Sequence, residues 1–269
     1  MIEAPIRRRS AIAGLVGWGC AWSLGLSPGE VAAAARAWLG LELAVDGNGV
    51  VARRVSRGSP AESAGVRAGD VIVALDGRPM ASPREVIEGV AAAGPGVSVT
   101  LTIRRGGVVS TRSAVLASHP GDEGVLRLEH VGLAAPPVGA IRAVQGAEVD
   151  PAKLRGRVVL VEFWASWCAA CRLNAPTIEA VRARYEAQGL TVVALTDEPD
   201  EVAAKALAKH GLRCAVGAGL SSEASRAWSV RVLPTLFVID RQGIVREVFV
   251  GTRSAESLAA AVEPLLRAR

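Results

Sequence analysis

The chain has 269 residues, 50 % of them hydrophobic and 21 % charged, with a net charge of +5. That length and composition fit one large or two ordinary globular domains. The arginines are scattered among acids and aromatics make up only 4 %, which argues against a nucleic-acid partner bound through a basic, base-stacking surface.

Arg7, Arg8 and Arg9 precede an uncharged run, Ser10–Gly29, and then the small residues of "EVAAAARA". A positive segment, an apolar segment and A-x-A sites such as that ending at Ala35 read as a signal peptide or a membrane anchor over residues 1–36. A buried helix is the competing reading. Export implies a protein in the periplasm, or anchored to the inner membrane and facing the periplasm. Cys20 raises the idea of lipidation, but Gly17-Trp18-Gly19 is a poor lead-in to it. Cleavage would leave Cys168, Cys171 and Cys214, too few for a disulfide framework.

From residue 37 to residue 117 the apolar runs are short and broken by turn residues. Strands are expected at "WLGLELAV", "VVARRVS", "DVIVALDG", "VSVTLTIRR" and "VVSTRSAVL". One helix fits "SPREVIEGVAAA", with Ser82 as N-cap, Pro83 at the first helical position, and Val86, Ile87 and Val90 on one apolar face. The sum is a small, partly open β-barrel with helices. Residues 118–131, rich in Gly and Pro without a sustained period, read as a linker.

From residue 132 to residue 269 apolar runs alternate with helical patterns, as in an α/β layer with parallel strands. An antiparallel hairpin closes it around Asp240-Arg241-Gln242-Gly243. Here "VEFWASWCAAC" sets Cys168 and Cys171 where a strand gives way to a helix. The free N–H groups and dipole of a helix N-terminus favour a thiolate, so Cys168 is expected as the exposed nucleophile. Cys171, one turn in, would resolve the mixed disulfide, and Trp167 would cover one flank. A zinc site needs a second ligand pair, which Cys214, His119, His130 and His210 do not supply. No metal and no cofactor are expected. A passive disulfide is the other reading. Glu162 interrupts the apolar strand; buried there, its pKa should rise, making it a proton carrier for Cys171. The alternative is a solvated glutamate at the strand edge. Cys214 reads as a small buried hydrophobe, or else as a third redox thiol.

"VVLVEFWASWCAAC" resembles the active-site strand of thioredoxin-fold proteins, and "VRVLPTLFVIDRQG" resembles their second motif. The resemblance implies a mixed sheet flanked by helices and a cis bond before Pro234, which would sit opposite the dithiol and pair with substrate. It also implies a turn at Gly251 and a buried acid at Glu162. "VGLAAPPVG", with the strand and helix between the dithiol and Pro234, is similar to the exported TlpA-like subfamily. The Ala169-Ala170 dipeptide departs from the pattern, where proline is common. The first domain resembles the PDZ domains of bacterial HtrA-like proteases through "GSPA", "AGVRAGDVI" and "DGRP". That implies a carboxylate-capturing loop at Leu39, Gly40 and Leu41, with a peptide groove along Leu43 closed by Val86 and Val90. A closed packing module is the bland alternative.

These readings combine into an exported thiol–disulfide oxidoreductase, more a reductant than an oxidant. Its partners would be protein thiols and disulfides, a membrane or periplasmic electron donor, and C-terminal peptides at the PDZ-like half. The competing class is a peptide-binding adaptor or redox sensor with a regulatory dithiol.

Overall fold

A computed structural model describes residues 36–268. The expected signal or anchor segment, with Cys20, lies outside them. Among the described residues no helix is long and apolar enough to cross a membrane.

The first half runs β1 (Ala37–Trp38), β2 (Leu41–Asp46), β3 (Gly49–Val55), α1 (Pro60–Ser63), β4 (Val71–Leu75), β5 (Arg78–Pro79), α2 (Pro83–Ala93), β6 (Ser98–Arg105), β7 (Val108–Val115) and β8 (Ala117–Ser118). Five strands form an antiparallel sheet in the order β2-β3-β4-β6-β7, with β5 beside β4. The order is linear, so the barrel stays open and β2 is an edge strand. β1 pairs antiparallel with β8, which brings the two ends of this half together near the expected boundaries.

The expected strand over "WLGLELAV" breaks at Gly40, whose φ is +82°. A Cβ there would fall 2.2 Å from the Cβ of buried Ser59, so only glycine fits. Helix α2 begins as expected: Ser82 Oγ accepts from Glu85 N, and Pro83 follows. Val86 and Val90 are buried, but Ile87 is 62 % exposed. At 100° per residue Ile87 lies off the Val86–Val90 stripe, so the three-residue apolar face narrows to two.

The expected linker is largely a helix, α3 (Gly121–His130). Leu126 and His130, one turn apart, turn into the second half, and the His130 ring meets Phe237 edge-on at 5.3 Å. Burial pushes the His130 pKa down.

The second half adds β9 (Arg142–Gln145), β10 (Val158–Phe163), α4 (Ala169–Tyr185), β11 (Leu190–Leu195), α5 (Asp200–His210), β12 (Ala215–Ala218), α6 (Ser222–Ala227), β13 (Thr235–Ile239), β14 (Val245–Val250) and α7 (Ala255–Arg267). The sheet order is β14-β13-β10-β11-β12-β9. β10 lies parallel to β11 and antiparallel to β13; β11 and β12 are parallel, and β14 and β9 are antiparallel edges. β9 was not expected from sequence, because this short edge strand is only half covered and shows no apolar alternation. At the β13–β14 turn, Asp240 Oδ1 accepts from Gln242 N and Ile244 N, both at 2.9 Å, and Gly243 has φ +81°.

Every residue of β10 is buried, as a strand covered on both faces requires. Val158 and Leu160 face one core layer with α4 and α7; Val159, Val161 and Phe163 face the other, with α3 and α6. The alternation sets Glu162 on the α4 side.

Candidate active site

The site grows from the end of β10. Phe163 is paired with Leu195 on one side and Thr235 on the other. Beyond it the chain leaves the sheet through Trp164–Trp167, and Cys168 becomes the N-cap of α4, its Sγ accepting from Cys171 N at 3.0 Å. Sulfur at a helix N-terminus is where a thiolate is stabilised. The two cysteines are joined as a disulfide, with Cα atoms 5.3 Å apart.

Cys168 is buried, 4 % exposed, and so is Cys171. Cys168 was expected to be exposed; in this oxidised form both sulfurs belong to the apolar layer under α4. Trp167 is corrected too. Rather than covering a flank, it stands 72 % exposed on the rim of a cleft of about 210 Å³. Trp164, Thr196, Asp197, Arg231 and Leu233 line the same cleft.

Glu162 is 1 % exposed, so it is not a solvated edge residue. Its Oε1 accepts from Asn174 Nδ2 at 3.1 Å. Burial pushes its pKa up to about 7, against the Asn174 hydrogen bond and with a further push from the Glu179 charge. Asn174 lies three residues beyond Cys171 on α4, and its Oδ1 accepts from Arg253 N at 3.2 Å. It was missed in the sequence, although a polar residue one turn past the dithiol on the buried face was a usable signal.

The Leu233–Pro234 bond is cis. Pro234 precedes Thr235, the partner of Phe163, so it stands at the dithiol end of the sheet. Thr235 Oγ1 donates to Val232 O at 2.6 Å, and Gly251 N donates to Pro234 O at 2.8 Å. The dithiol loop is held from the other side. Ser166 N and Oγ each donate to Glu198 at 2.6 Å, and His210 Nε2 lies 3.2 Å from Ser166 O, a bond in which the carbonyl can only accept. Glu198 was not picked out in the sequence, and His210 was weighed there only as a zinc ligand; they meet Ser166 only through the fold.

Cys214 is a free, buried thiol, and burial pushes its pKa far above the usual thiol range. Among the described residues no three His, Cys, Asp or Glu side chains gather as a metal site.

In the first half, Leu39, Val86 and Val90 are buried, while Leu41 and Leu43 are half-buried on the edge strand. Leu39 O and Gly40 O accept from Ala61 N and Ser56 N, both at 2.9 Å. The two halves touch through β2 and β3. Arg54 reaches Ser229 Oγ at 2.6 Å and Glu129 at 3.3 Å, and Arg231 reaches Glu42 at 3.2 Å.

A central buried strand, a helix capped by a cysteine pair and a cis-proline turn at the same sheet end define a thioredoxin-fold redox protein. Residues 37–116 match the PDZ domain family and residues 130–263 match the Redoxin family. The chain is 29 % identical to a thiol-disulfide oxidoreductase ResA of Bacillus cereus over 116 residues, 43 % of this chain and 67 % of the relative. The ResA of Geobacillus kaustophilus is 28 % identical over 136 residues, 50 % of this chain and 78 % of its own. A solved thiol:disulfide interchange protein of the thioredoxin family from Chlorobium tepidum TLS is 28 % identical, with a TM-score of 0.43, covering 49 % of this chain and 95 % of that one. The chain carries a Redoxin domain of the thioredoxin fold with a PDZ domain ahead of it, and is a thiol–disulfide oxidoreductase.

Proposed function

We propose that this chain is an exported reductant of protein disulfides. The observation that carries the reading is Glu162: a carboxylate with a pKa of about 7, buried beneath a helix capped by the dithiol. In the reduced enzyme the Cys168 thiolate attacks one sulfur of a substrate disulfide, and the first substrate thiolate leaves. Cys171 gives its proton to the Glu162 carboxylate and attacks Cys168 Sγ, and the second substrate thiolate departs. Two electrons have passed to substrate, and the protein holds the Cys168–Cys171 bond. A membrane or periplasmic electron donor restores the dithiol. Pro234 presents backbone to the substrate chain, exposed Trp167 offers its ring from the cleft rim, and the PDZ half recruits or orients the partner through its edge strand β2.

Cys168→Ser should abolish reduction of insulin disulfides; retained activity would sink the assignment. Direction is read from the Cys168–Cys171 potential: close to about −270 mV supports a reductant, close to about −120 mV an oxidant.

A further inference from the structure

Between the PDZ and Redoxin halves lies a cleft of about 690 Å³, walled by β2 and β3 on one side and by α6 and the segment leading to Pro234 on the other. Four arginines line it, Arg53, Arg54, Arg226 and Arg231, against one acid, Glu42. Glu42 is shared between Arg54 at 3.1 Å and Arg231 at 3.2 Å. Arg54 also has Glu129. Among the described residues Arg53 and Arg226 have no acidic partner, and both are exposed.

Consecutive residues of a regular strand point to opposite faces, yet Arg53 and Arg54 both line this cleft. The cause is a bulge: Glu42 pairs with Arg54 and Leu43 with Ala52, which leaves Arg53 as the extra residue. Bulges re-aim side chains in this way. The positive cleft is continuous with the cleft rimmed by Trp167, the residue before Cys168, since Ser225, Val230 and Arg231 line both.

We propose that this interdomain cleft docks an acidic stretch of the polypeptide whose disulfide is reduced, holding it beside the dithiol. The proposal rests on the reductant reading and adds its substrate class. Charge complementarity selects the occupant: unpaired guanidinium groups donate bidentately to carboxylates and steer acidic chains to the cleft.

The test uses the full chain, pre-reduced, in single turnover with two cyclic disulfide peptides. One carries an acidic flank and the other a neutral flank of equal length. Each turnover converts the dithiol to its disulfide and the peptide disulfide to two thiols. In wild type the acidic peptide should react roughly 10-fold faster at low salt, and the preference should shrink at about 0.5 M salt. Arg53→Glu/Arg226→Glu should bring the ratio of the two rate constants to about one or below, with Arg53→Gln/Arg226→Gln in between. A wild-type ratio near one, or an unchanged ratio in the Glu pair, overturns the proposal. A wild type that reduces neither peptide overturns the reductant reading instead. The cleft is then judged by fluorescence anisotropy with a cysteine-free acidic peptide. Binding lost in the Glu pair supports the proposal, and no binding to wild type, or binding kept in the Glu pair, overturns it.

Discussion

Asn174 holds Glu162 from within the α4 layer: its Nδ2 donates to the carboxylate at 3.1 Å while its Oδ1 is fixed by Arg253 N. The amide thus favours the charged carboxylate, opposing the burial that raises its pKa to about 7. At neutral pH the group can both take and return a proton. Glu162→Gln should slow release from the mixed disulfide by roughly 10²-fold while sparing its formation. Stopped-flow kinetics should show the wild-type release rate rising with pH through about 7 and no such inflection in the variant. Asn174→Leu removes the opposing donor, so the inflection should move to higher pH; an unmoved profile would separate Asn174 from the proton path.

The same carboxyl should weaken the fold above acidic pH. Folded Glu162 keeps its proton to about pH 7, whereas its ordinary value is 4.5. The folded state then binds more protons across that window, so stability is full below about 4.5 and falls as pH rises to about 7. Glu162→Gln carries no charge to desolvate. It should be more stable than wild type by about 2–3 kcal/mol at pH 8 and show little gain at pH 4. Urea titrations at the two pH values check this, and an equal gain at both would contradict it.

Cys214 faces the α4 layer beside the site yet is a poor nucleophile, since burial holds its thiol protonated. Iodoacetamide added to the folded, reduced protein should label Cys168 and leave Cys214 untouched until urea is added. Tryptic mapping checks this, and labelling of Cys214 in the fold would restore it as a third redox thiol.

What was legible in the sequence was local. The run Val158–Phe163, apolar but for Glu162, the cysteines at a strand-to-helix junction and the Ser82–Pro83 helix start each follow from neighbouring residues alone. Helix α3 was hidden by Gly121 and Gly124 and by an apolar face reduced to Leu126 and His130. Trp167 could not be placed, because its exposure depends on the cleft walls from distant segments. Arg54–Ser229 joins residues 175 apart, and the bulge at Arg53 is a property of pairing. None of these has a local pattern to read.

Asp70 and Arg105 tie β4 to β6. Asp70 is buried, and both its oxygens accept from Arg105, at 2.6 and 2.7 Å. Burial pushes its pKa up, but the Arg105 hydrogen bonds and the N–H of Arg67 outweigh that, leaving it below the usual value. This stability is present above the unfolded carboxyl pKa and is lost as pH falls through the lowered folded value. Arg105→Met strands the buried carboxylate and should lower the melting temperature of the PDZ half by roughly 5 °C at pH 7. The deficit should shrink in acid, where Asp70 is protonated. Calorimetry across pH checks this, and a pH-independent deficit would assign the loss to packing alone.

Ser229 holds φ +55°, a left-handed conformation that serine rarely adopts, five residues before Pro234. Arg54 of the PDZ half donates to its hydroxyl at 2.6 Å. The PDZ domain therefore helps to fix the turn that leads into the cis-proline segment. Glycine tolerates this φ unaided. Arg54→Ala should destabilise the protein by about 1–2 kcal/mol. In a Ser229→Gly background the same change should be smaller by about 1 kcal/mol, the remainder coming from the Glu42 and Glu129 pairs. A double-mutant cycle read by the fluorescence of buried Trp228 measures that coupling. Strict additivity would mean that Arg54 stabilises the interface without holding Ser229.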